Sequence, residues 1–507
     1  MCPIKLEINK LREESPEWWQ LLKKLALVAL VLHLVTAFFS EGFHRPDEHL
    51  GIMRWMGYKL NITPEKLLSW EWPVQIRPWA QPGLYYLIVK TMNALGMDNP
   101  FYLSTVLRVF SSMTGLLAQV LLAISFERFI VSKKWKKISL YFIFLLWYLP
   151  FFHARTTSEN LSTNFFIYAF FIVTILTPKE LLRNLTPSLE LEKKGWKLNL
   201  GHCLLVGFFL GLSFIFRYQM AVMVFFFCLW FLVIGKLRIS SLFFITASFF
   251  LTQGLSALVN YWGYGEWSFP PYNYYYQNIV VGMASGFGVD PWWKYLTKSI
   301  TRGIPPLSLL FVIPIFWMIL KRWRHLILWT ILPFFVFHSM VGHKELRFIF
   351  GLGLFSPLAA ILFLEHFEKK LPTPNWLVKL VIFQNAALLI FCAFRPAYSP
   401  IKFYKHLYYK EEVVNRITTL NLIRDQMFFY QKNDIKMTYQ KDYQKAVDQI
   451  DHSVQWILTD QLAHVESLRQ LSYCREDYLS YPEFVVELMK TYSKRSKVWG
   501  LYRCQKI

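Results

Sequence analysis

Charged and titratable side chains crowd into the segment HRPDEH, directly after an apolar run that ends at Phe39. They are His44, Arg45, Asp47, Glu48 and His49. A carboxylate in a partly buried cleft can accept a proton from an attacking hydroxyl group, so Asp47 and Glu48 are candidate general bases. Two alternatives stay open: a solvated turn in which Asp47 caps a helix after Pro46, and a metal site, although the spacing matches no standard metal motif.

A second polar segment, GHKELRF, lies between two later apolar runs. His343, Lys344 and Arg347 provide three potential cations around Glu345. Cations this close together can hold a phosphate and stabilise the charge that develops on it as a leaving group. The alternative is an ordinary cluster of polar residues at a helix end, without a ligand.

Single charges next to apolar runs add further candidates. Arg217 and Gln219 lie in the hairpin FRYQ, where a charge is costly and is a functional hypothesis by default. Arg155 in HARTTSEN is a second choice for phosphate binding, and its alternative is snorkelling towards the membrane surface. Arg77 lies between two prolines in a stiff segment, which suits a clamp for an anionic substrate.

The densest aromatic stretch, residues 260–296, predicts an ordered external loop above a groove. Its glycines do not form a nucleotide-binding loop, because no helix with a lysine follows them. The substrate-binding candidates come from this loop and from the polar segments described above. They are His44, Arg77, Gln219, Tyr275, Gln277 and Glu345.

Membrane helices must position these residues. The chain has 507 residues, of which 54% are hydrophobic and only 17% are charged, where a soluble protein would carry nearer a quarter. The long apolar runs predict an all-α polytopic membrane protein with about eleven transmembrane helices. The predicted spans are residues 21–40, 101–126, 138–152, 161–178, 202–216, 220–235, 239–259, 303–320, 325–341, 348–364 and 376–394.

Basic clusters indicate the topology. With these spans, the clusters at residues 133–137, 179–197, 236–238, 321–324 and 369–370 fall on the same side as Lys23 and Lys24, which the positive-inside rule makes cytosolic. The candidate site residues then gather on the opposite face, which is the layout of an interfacial active site. Basic loops near anionic lipid also explain the net charge of +22 better than nucleic-acid binding does.

Two flanking regions differ from the membrane body at residues 21–394. Residues 1–20 predict a cytosolic N-terminal segment. Residues 395–507 alternate charged and apolar positions, which predicts a small mixed α/β extramembrane domain, with a strand and a helix in DQIDHSVQWILTDQLAHV. Cys474 and Cys504 in this region could pair in an oxidising compartment.

Four motifs together resemble glycosyltransferase family 22: HRPDE, TSENLST, YNYYYQN…GFGVDPWWKYL and HKELRF. The family contains dolichyl-phosphate-mannose-dependent mannosyltransferases of N-glycan and GPI-anchor assembly. The resemblance implies a GT-C fold whose first external loop, residues 41–100, carries the acidic motif. Asp47 matches the family's acidic position with Glu48 beside it, although Arg45 departs from the usual H-P-D-E. The segment H-K-E-x-R is matched by His343, Lys344, Glu345 and Arg347.

The resemblance also implies the chemistry. An inverting glycosyltransferase would move a hexose, mannose in this family, from a polyprenyl- or dolichyl-phosphate donor to a glycan or glycolipid hydroxyl group. Asp47 is the expected base and Glu48 the second choice. The leaving phosphate needs cations rather than a proton donor, so we expect no cofactor and no metal. The expected phosphate ligands are His343, Lys344, Arg347, Arg217 and Arg155.

The expected reaction side is the lumen of an endoplasmic reticulum membrane or the periplasmic side of a bacterial inner membrane. The alternative function is a lipid-linked sugar flippase or secondary transporter. Transporters often contain internal repeats and ionisable groups near the membrane midplane. The chain shows no such repeat, and Arg217 is the residue that best supports the alternative. The sugar, the acceptor and the linkage stay open.

Overall fold

The computed structural model describes residues 3–183, 189–370, 374–420, 422, 427–432, 435–492 and 497–506. Part of the basic segment at residues 179–197, and parts of the predicted C-terminal domain, lie outside these described residues. The described chain divides into two compact units. Unit 1 comprises Met1–Ser40, Leu68–Thr91 and Thr105–Arg395. Unit 2 comprises Glu41–Leu67, Met92–Ser104 and Pro396–Ile507, so it joins parts of the predicted first external loop to the C-terminal region.

Helices dominate the described residues of the chain. The α-helices are α1 (Pro3–Glu14), α2 (Pro16–Phe39), α3 (Arg54–Lys59), α4 (Ala80–Ala94), α5 (Pro100–Phe129), α6 (Lys133–Leu145), α7 (Leu149–His153), α8 (Ser158–Leu176), α9 (Lys179–Leu182), α10 (Leu189–Lys194), α11 (Leu200–Phe216), α12 (Met220–Val233), α13 (Ile239–Tyr264), α14 (Pro270–Tyr275), α15 (Met283–Gly286), α16 (Lys294–Gly303), α17 (Leu309–Lys321), α18 (Leu326–Met340), α19 (Phe350–Phe367), α20 (Asn375–Phe394), α21 (Ile401–Tyr409), α22 (Tyr443–Asp448), α23 (Leu462–Arg469) and α24 (Glu483–Tyr492). Short π- or 3₁₀-helical turns occupy Glu48–Met53, Glu65–Leu67, Tyr276–Val280, Leu346–Ile349 and Phe428–Tyr430.

Each of the eleven predicted spans overlaps a helix. Among the described residues, six helices are long and apolar enough to cross a membrane: α2, α5, α8, α13, the helical stretch Leu346–Phe367 and α20. The apolar helices α11, α12, α17 and α18 are shorter. The chain is therefore a helical multi-pass membrane protein, while the count of eleven stays a prediction.

The predicted span at residues 138–152 is not one continuous helix. Helix α6 ends at Leu145, and the extended backbone of Leu146 separates it from α7. Pro150 lies in the first turn of α7, where its missing N–H group costs no intrahelical hydrogen bond. The proline therefore favours a new helix start at the place where the hydropathy pattern predicted continuity.

Helix α8 lies in the core of unit 1, and 89% of its apolar stretch is buried inside the protein. It packs against α11, which packs in turn against α13. Gly207 and Gly211 permit the close approach of α11 and α13, because a Cβ atom at Gly207 would lie 2.2 Å from the Ile245 carbonyl oxygen. At Gly211 it would lie 2.7 Å from the Cβ atom of Thr252.

The C-terminal region contains a mixed five-stranded sheet in the order β2-β1-β3-β5-β4. Its strands are β1 (Arg416–Leu420), β2 (Lys436–Gln440), β3 (Gln455–Gln461), β4 (Cys474–Leu479) and β5 (Lys497–Cys504). Strand β1 is parallel to β2 and β3, whereas β5 is antiparallel to β3 and β4. This confirms the predicted α/β region, including the strand and helix now seen as β3 and α23. A disulfide joins Cys474 to Cys504 across β4 and β5.

Candidate active site

A buried carboxylate bridges two arginines at one end of the helical body of unit 1. Glu159 Oε1 lies 3.1 Å from Arg217 Nη1 and 3.4 Å from Arg347 Nη1. The side chains of Glu159, Arg217 and Arg347 are only 4%, 10% and 6% exposed. Three sequence-distant elements therefore meet here: the start of α8, the end of α11 and the turn after α18.

Local sequence explains how each group reaches this point. Thr157 caps α8 by accepting a hydrogen bond from the Asn160 backbone N–H group, which places Glu159 in the first turn. A carboxylate is favourable there because the helix dipole presents partial positive charge. Arg217 lies directly after α11 in extended conformation, so its side chain leaves the apolar helix at the end of the bundle.

The segment GHKELRF completes this cluster. The Arg347 guanidinium group donates from Nε to Glu345 Oε2 at 3.0 Å and from Nη2 to Glu345 Oε1 at 3.2 Å. His343 Nε2 lies 3.3 Å from the same Glu345 Oε1 atom. The guanidinium carbons of Arg217 and Arg347 lie 5.0 and 4.9 Å from the ring centre of Phe348, within cation–π range. The two arginines are therefore held in fixed positions.

Lys344 takes a different position from its neighbours. Its ammonium group donates to the carbonyl oxygens of Val341 at 2.5 Å and Asp290 at 2.9 Å. Burial lowers the pKa of Lys344, while Asp290 opposes this shift and Lys298 adds to it. These contacts tie the aromatic stretch at residues 260–296 to the GHKELRF segment. The role of Lys344 in phosphate binding stays a prediction.

Asp290 is the centre of this second group of charges. Its carboxylate lies 3.5 Å from Lys294 Nζ and 3.4 Å from Lys298 Nζ. Burial would raise the pKa of Asp290, but the two lysines outweigh it and hold the pKa below the ordinary value. The cluster around Glu159 and the group around Asp290 together contain five basic side chains and three carboxylates. The basic side chains are Arg217, Arg347, Lys344, Lys294 and Lys298, and the carboxylates are Glu159, Glu345 and Asp290. The excess positive charge suits an anionic ligand.

The remaining predicted residues of unit 1 have separate partners. Arg155 Nη2 donates to the Ser40 carbonyl oxygen at 2.6 Å. Gln219 donates to the Tyr274 hydroxyl group, and the predicted neighbour Tyr275 is 55% exposed. Gln277 is half-buried in the π-helical turn Tyr276–Val280. Arg77 forms an ion pair with Glu71.

The acidic motif belongs to unit 2, where Glu48 shapes its own turn. Glu48 is 1% exposed, and its Oε1 atom accepts hydrogen bonds from the backbone N–H groups of His44 at 2.8 Å and Arg45 at 3.4 Å. Asp47 is half-buried at the start of the π-helical turn Glu48–Met53. Such turns occur frequently at functional sites. The structure therefore gives Glu48 a contact that stabilises the turn, while the role of Asp47 as the base stays a prediction.

Glu159 was missed as a site residue by the sequence analysis, although it lies within the motif TSENLST. Its signal was an acidic residue at the very start of an apolar helix, where an ionised group is expensive. Asp290 and Lys298 were also missed. Of the predicted residues, the structure brings His343, Glu345, Arg347 and Arg217 into one connected cluster.

The fold and this cluster define a class: a multi-pass membrane protein with a buried, charged site at one end of its helical body. More specifically, the chain belongs to the Alg9-like mannosyltransferase family, whose model matches residues 24–428. The predicted membership in a family of glycosyltransferases is thereby confirmed.

Curated relatives agree with this assignment. Human GPI alpha-1,2-mannosyltransferase 3 is 22% identical over 343 residues, which cover 64% of this chain and 54% of the human protein. Mannosyltransferase APTG1 of Arabidopsis thaliana is 22% identical over 338 residues, covering 64% of this chain and 56% of that protein. The matched stretch thus spans about half the length of these relatives.

Solved structures give a weaker likeness. The crystal structure of ArnT from Cupriavidus metallidurans bound to undecaprenyl phosphate is 11% identical, with a TM-score of 0.49. The alignment covers 94% of this chain and 97% of ArnT. The GT-C fold implied by the sequence motifs stays an expectation at this level of similarity.

Proposed function

We propose that this protein is an inverting mannosyltransferase that moves mannose from a polyprenyl- or dolichyl-phosphate donor to a hydroxyl group of a glycan or glycolipid. The observation that carries the proposal is the buried pair Arg217 and Arg347, bridged by Glu159 beside the GHKELRF segment. Family membership supports the sugar and the reaction type. The name of the human relative, a GPI alpha-1,2-mannosyltransferase, supports transfer to a glycolipid, and the name of the Arabidopsis relative supports mannosyl transfer.

The donor phosphate is proposed to bind at the charged cluster of unit 1. Arg217 and Arg347 are rigid and buried, so they can stabilise charge on the departing phosphate without reorganising. His343 contacts Glu345 at the edge of this cluster, where its ring can donate a further hydrogen bond. Lys344 and the neighbouring lysines raise the positive potential around the phosphate. Arg155 is a second-choice ligand, with its contact to Ser40 counting against it.

Asp47 is proposed as the general base that accepts the proton of the acceptor hydroxyl group. The turn around it is supported by Glu48, whose carboxylate is used on backbone N–H groups. One carboxylate is sufficient for an inverting transfer, because the phosphate leaves without a proton donor. We propose that no metal or other cofactor takes part. The proposed acceptor contacts include His44, Arg77, Gln219, Tyr275 and Gln277.

The reaction is proposed to take place on the non-cytosolic face, which is the lumenal face of the endoplasmic reticulum in a eukaryote. Support comes from the basic loops, which fall on the other side of the predicted spans. The proposed partners are the lipid-phosphate sugar, the acceptor and the bilayer. A flippase or transporter function is not favoured, since the chain belongs to a family of mannosyltransferases.

The test is mannose transfer by the purified full chain in liposomes, with radiolabelled polyprenyl-phosphate mannose, candidate glycolipid acceptors and excess chelator. We expect transfer to survive the chelator. Asp47→Asn should lower the turnover rate by roughly 100-fold or more, as expected for the loss of a general base. Glu48→Gln should retain much more activity, because its amide oxygen can still accept the backbone N–H groups of the turn.

Asp98→Asn is the matched control, since Asp98 is exposed and undergoes the same change of charge. It should transfer at close to the wild-type rate. Wild-type activity in Asp47→Asn would contradict the base assignment. Absence of transfer from every lipid-phosphate sugar would contradict the proposed function.

A further inference from the structure

Four aromatic rings form a column through the acidic turn of unit 2. Phe43 stacks on Tyr398 with ring centres 4.2 Å apart and an interplanar angle of 19°. Its other neighbour is His49, at 5.5 Å and 19°. His49 continues the column to Tyr430, at 6.5 Å and 23°. The two inner rings flank Asp47 in the sequence, and the two outer rings come from the C-terminal region.

Backbone and charge contacts join the same two segments. The Glu41 carbonyl oxygen accepts hydrogen bonds from the backbone N–H groups of Ala397 at 2.9 Å and Tyr398 at 3.1 Å. The Glu41 carboxylate also accepts a hydrogen bond from Lys405 Nζ at 2.8 Å. The chain entering the acidic turn is therefore attached at its backbone as well as through its side chains.

Gly42 makes this attachment sterically close. Its φ angle is +82°, in the left-handed region that favours glycine. A Cβ atom at this position would lie 2.6 Å from the Cβ atom of Tyr398, which is too close without movement of one segment. Two independent features thus require glycine where the acidic turn meets the C-terminal region.

We propose that two segments of the C-terminal region, residues 396–409 and 427–430, form a clamp that holds the acidic turn and aims the Asp47 carboxylate. The inference rests on the proposed function, in which Asp47 is the base. Tyr398 and Tyr430 are positioning residues that act through Phe43 and His49, on both sides of Asp47. Because both ends of the turn are held, the carboxylate is presented in one orientation, which a general base requires.

The first test compares Gly42→Ala with the matched control Gly96→Ala in the full chain. Gly96 also belongs to unit 2 and has a φ angle of +81°, but a Cβ atom there meets nothing within 4 Å. Both variants acquire the same backbone strain, and only Gly42→Ala collides with Tyr398. We expect Gly42→Ala to lower kcat by about 10- to 100-fold with little change in the donor KM. Gly96→Ala should stay within about twofold of wild type.

The second test reads the clamp without relying on activity. Hydrogen exchange of backbone amides at residues 43–53 should be faster in Tyr398→Ala than in wild type, by about 10-fold or more if the turn opens locally. Tyr398→Phe keeps the ring and should restore both the slow exchange and kcat. A variant is judged to be folded only if its size-exclusion elution profile in detergent is the same as that of the wild type.

Equal kcat losses in Gly42→Ala and Gly96→Ala would overturn the clamp, because backbone strain alone would then explain them. Unchanged exchange at residues 43–53 in folded Tyr398→Ala would overturn it as well. If Tyr398→Ala does not fold, the glycine pair decides. If the wild-type protein transfers no sugar, the proposed function fails, and the exchange comparison still decides whether the clamp exists.

Discussion

Replacement of Glu159 by glutamine tests the central feature of the charged site. The change keeps the size of the side chain and removes the negative charge that faces Arg217 and Arg347. At 3.1 and 3.4 Å, each attraction amounts to about 5 kcal/mol before desolvation is counted, with an effective dielectric constant of about 20. Since all three side chains are buried, the positive charges left behind have little water to compensate them.

Removing one partner from a buried ion pair typically costs about 3–5 kcal/mol of the free energy of unfolding. Arg347 keeps its bidentate contact with Glu345, so Arg217 should be the more destabilised of the two arginines. For a chain of this size, the loss corresponds to a fall in melting temperature of roughly 3–5 °C. The rate of sugar transfer from the lipid-phosphate donor should also fall in this variant, because the guanidinium groups of Arg217 and Arg347 lose their fixed positions.

The assay is thermal unfolding of the purified full chain in detergent, followed by intrinsic fluorescence, for Glu159→Gln, Arg217→Gln and the double variant. In a double-mutant cycle, contacting residues should couple, so the double variant should lose less stability than the two single changes added together. Glu487→Gln is the matched control. Its partner Lys490 and its own side chain are 30% and 56% exposed, so this pair should contribute about 1 kcal/mol or less.

Two results would refute this reasoning. One is a Glu159→Gln variant as stable as the Glu487→Gln control. The other is strict additivity in the cycle with Arg217→Gln, which would mean that the two side chains do not interact. Either result would remove the ion pair from the proposed phosphate site and would leave the GHKELRF segment as its main source of cations.

Two further predictions concern pH and the C-terminal disulfide. Because burial lowers the pKa of Lys344, its ammonium group should lose its charge at a pH below the ordinary 10.5, so the donor KM should rise as pH increases towards that value. Lys344→Arg should flatten this alkaline rise, since arginine stays charged; an identical pH profile would exclude Lys344 as the titrating group. The Cys474–Cys504 disulfide closes a loop with a sequence separation of 30, so Cys474→Ser with Cys504→Ser should cost about 3–4 kcal/mol of stability. Faster proteolysis of the C-terminal region in the full chain would measure this loss, and equal resistance with and without reductant would contradict it.

Hydropathy and local motifs allowed much of the fold to be predicted. Each apolar run overlaps at least one helix, because a backbone in lipid must satisfy its hydrogen bonds within its own segment. The strand and helix now seen as β3 and α23 were also predictable, because β3 contains a short apolar run and the buried Leu462, Val465 and Leu468 of α23 recur every three residues. The division between α6 and α7 was missed, since average hydropathy does not register the effect of Pro150 on the backbone.

The sequence by itself determined the residue types at the candidate site: the acidic turn with Asp47, and the cations of GHKELRF. Only the tertiary structure decided their partners. Glu159 meets Arg347 from a position 188 residues away along the chain, and Phe43 meets Tyr398 across an even longer separation. Such contacts depend on how helices and loops pack rather than on local pattern. The same packing directs the amide group of Gln219 to Tyr274 and leaves the adjacent Tyr275 exposed, because one residue along a helical turn faces another direction.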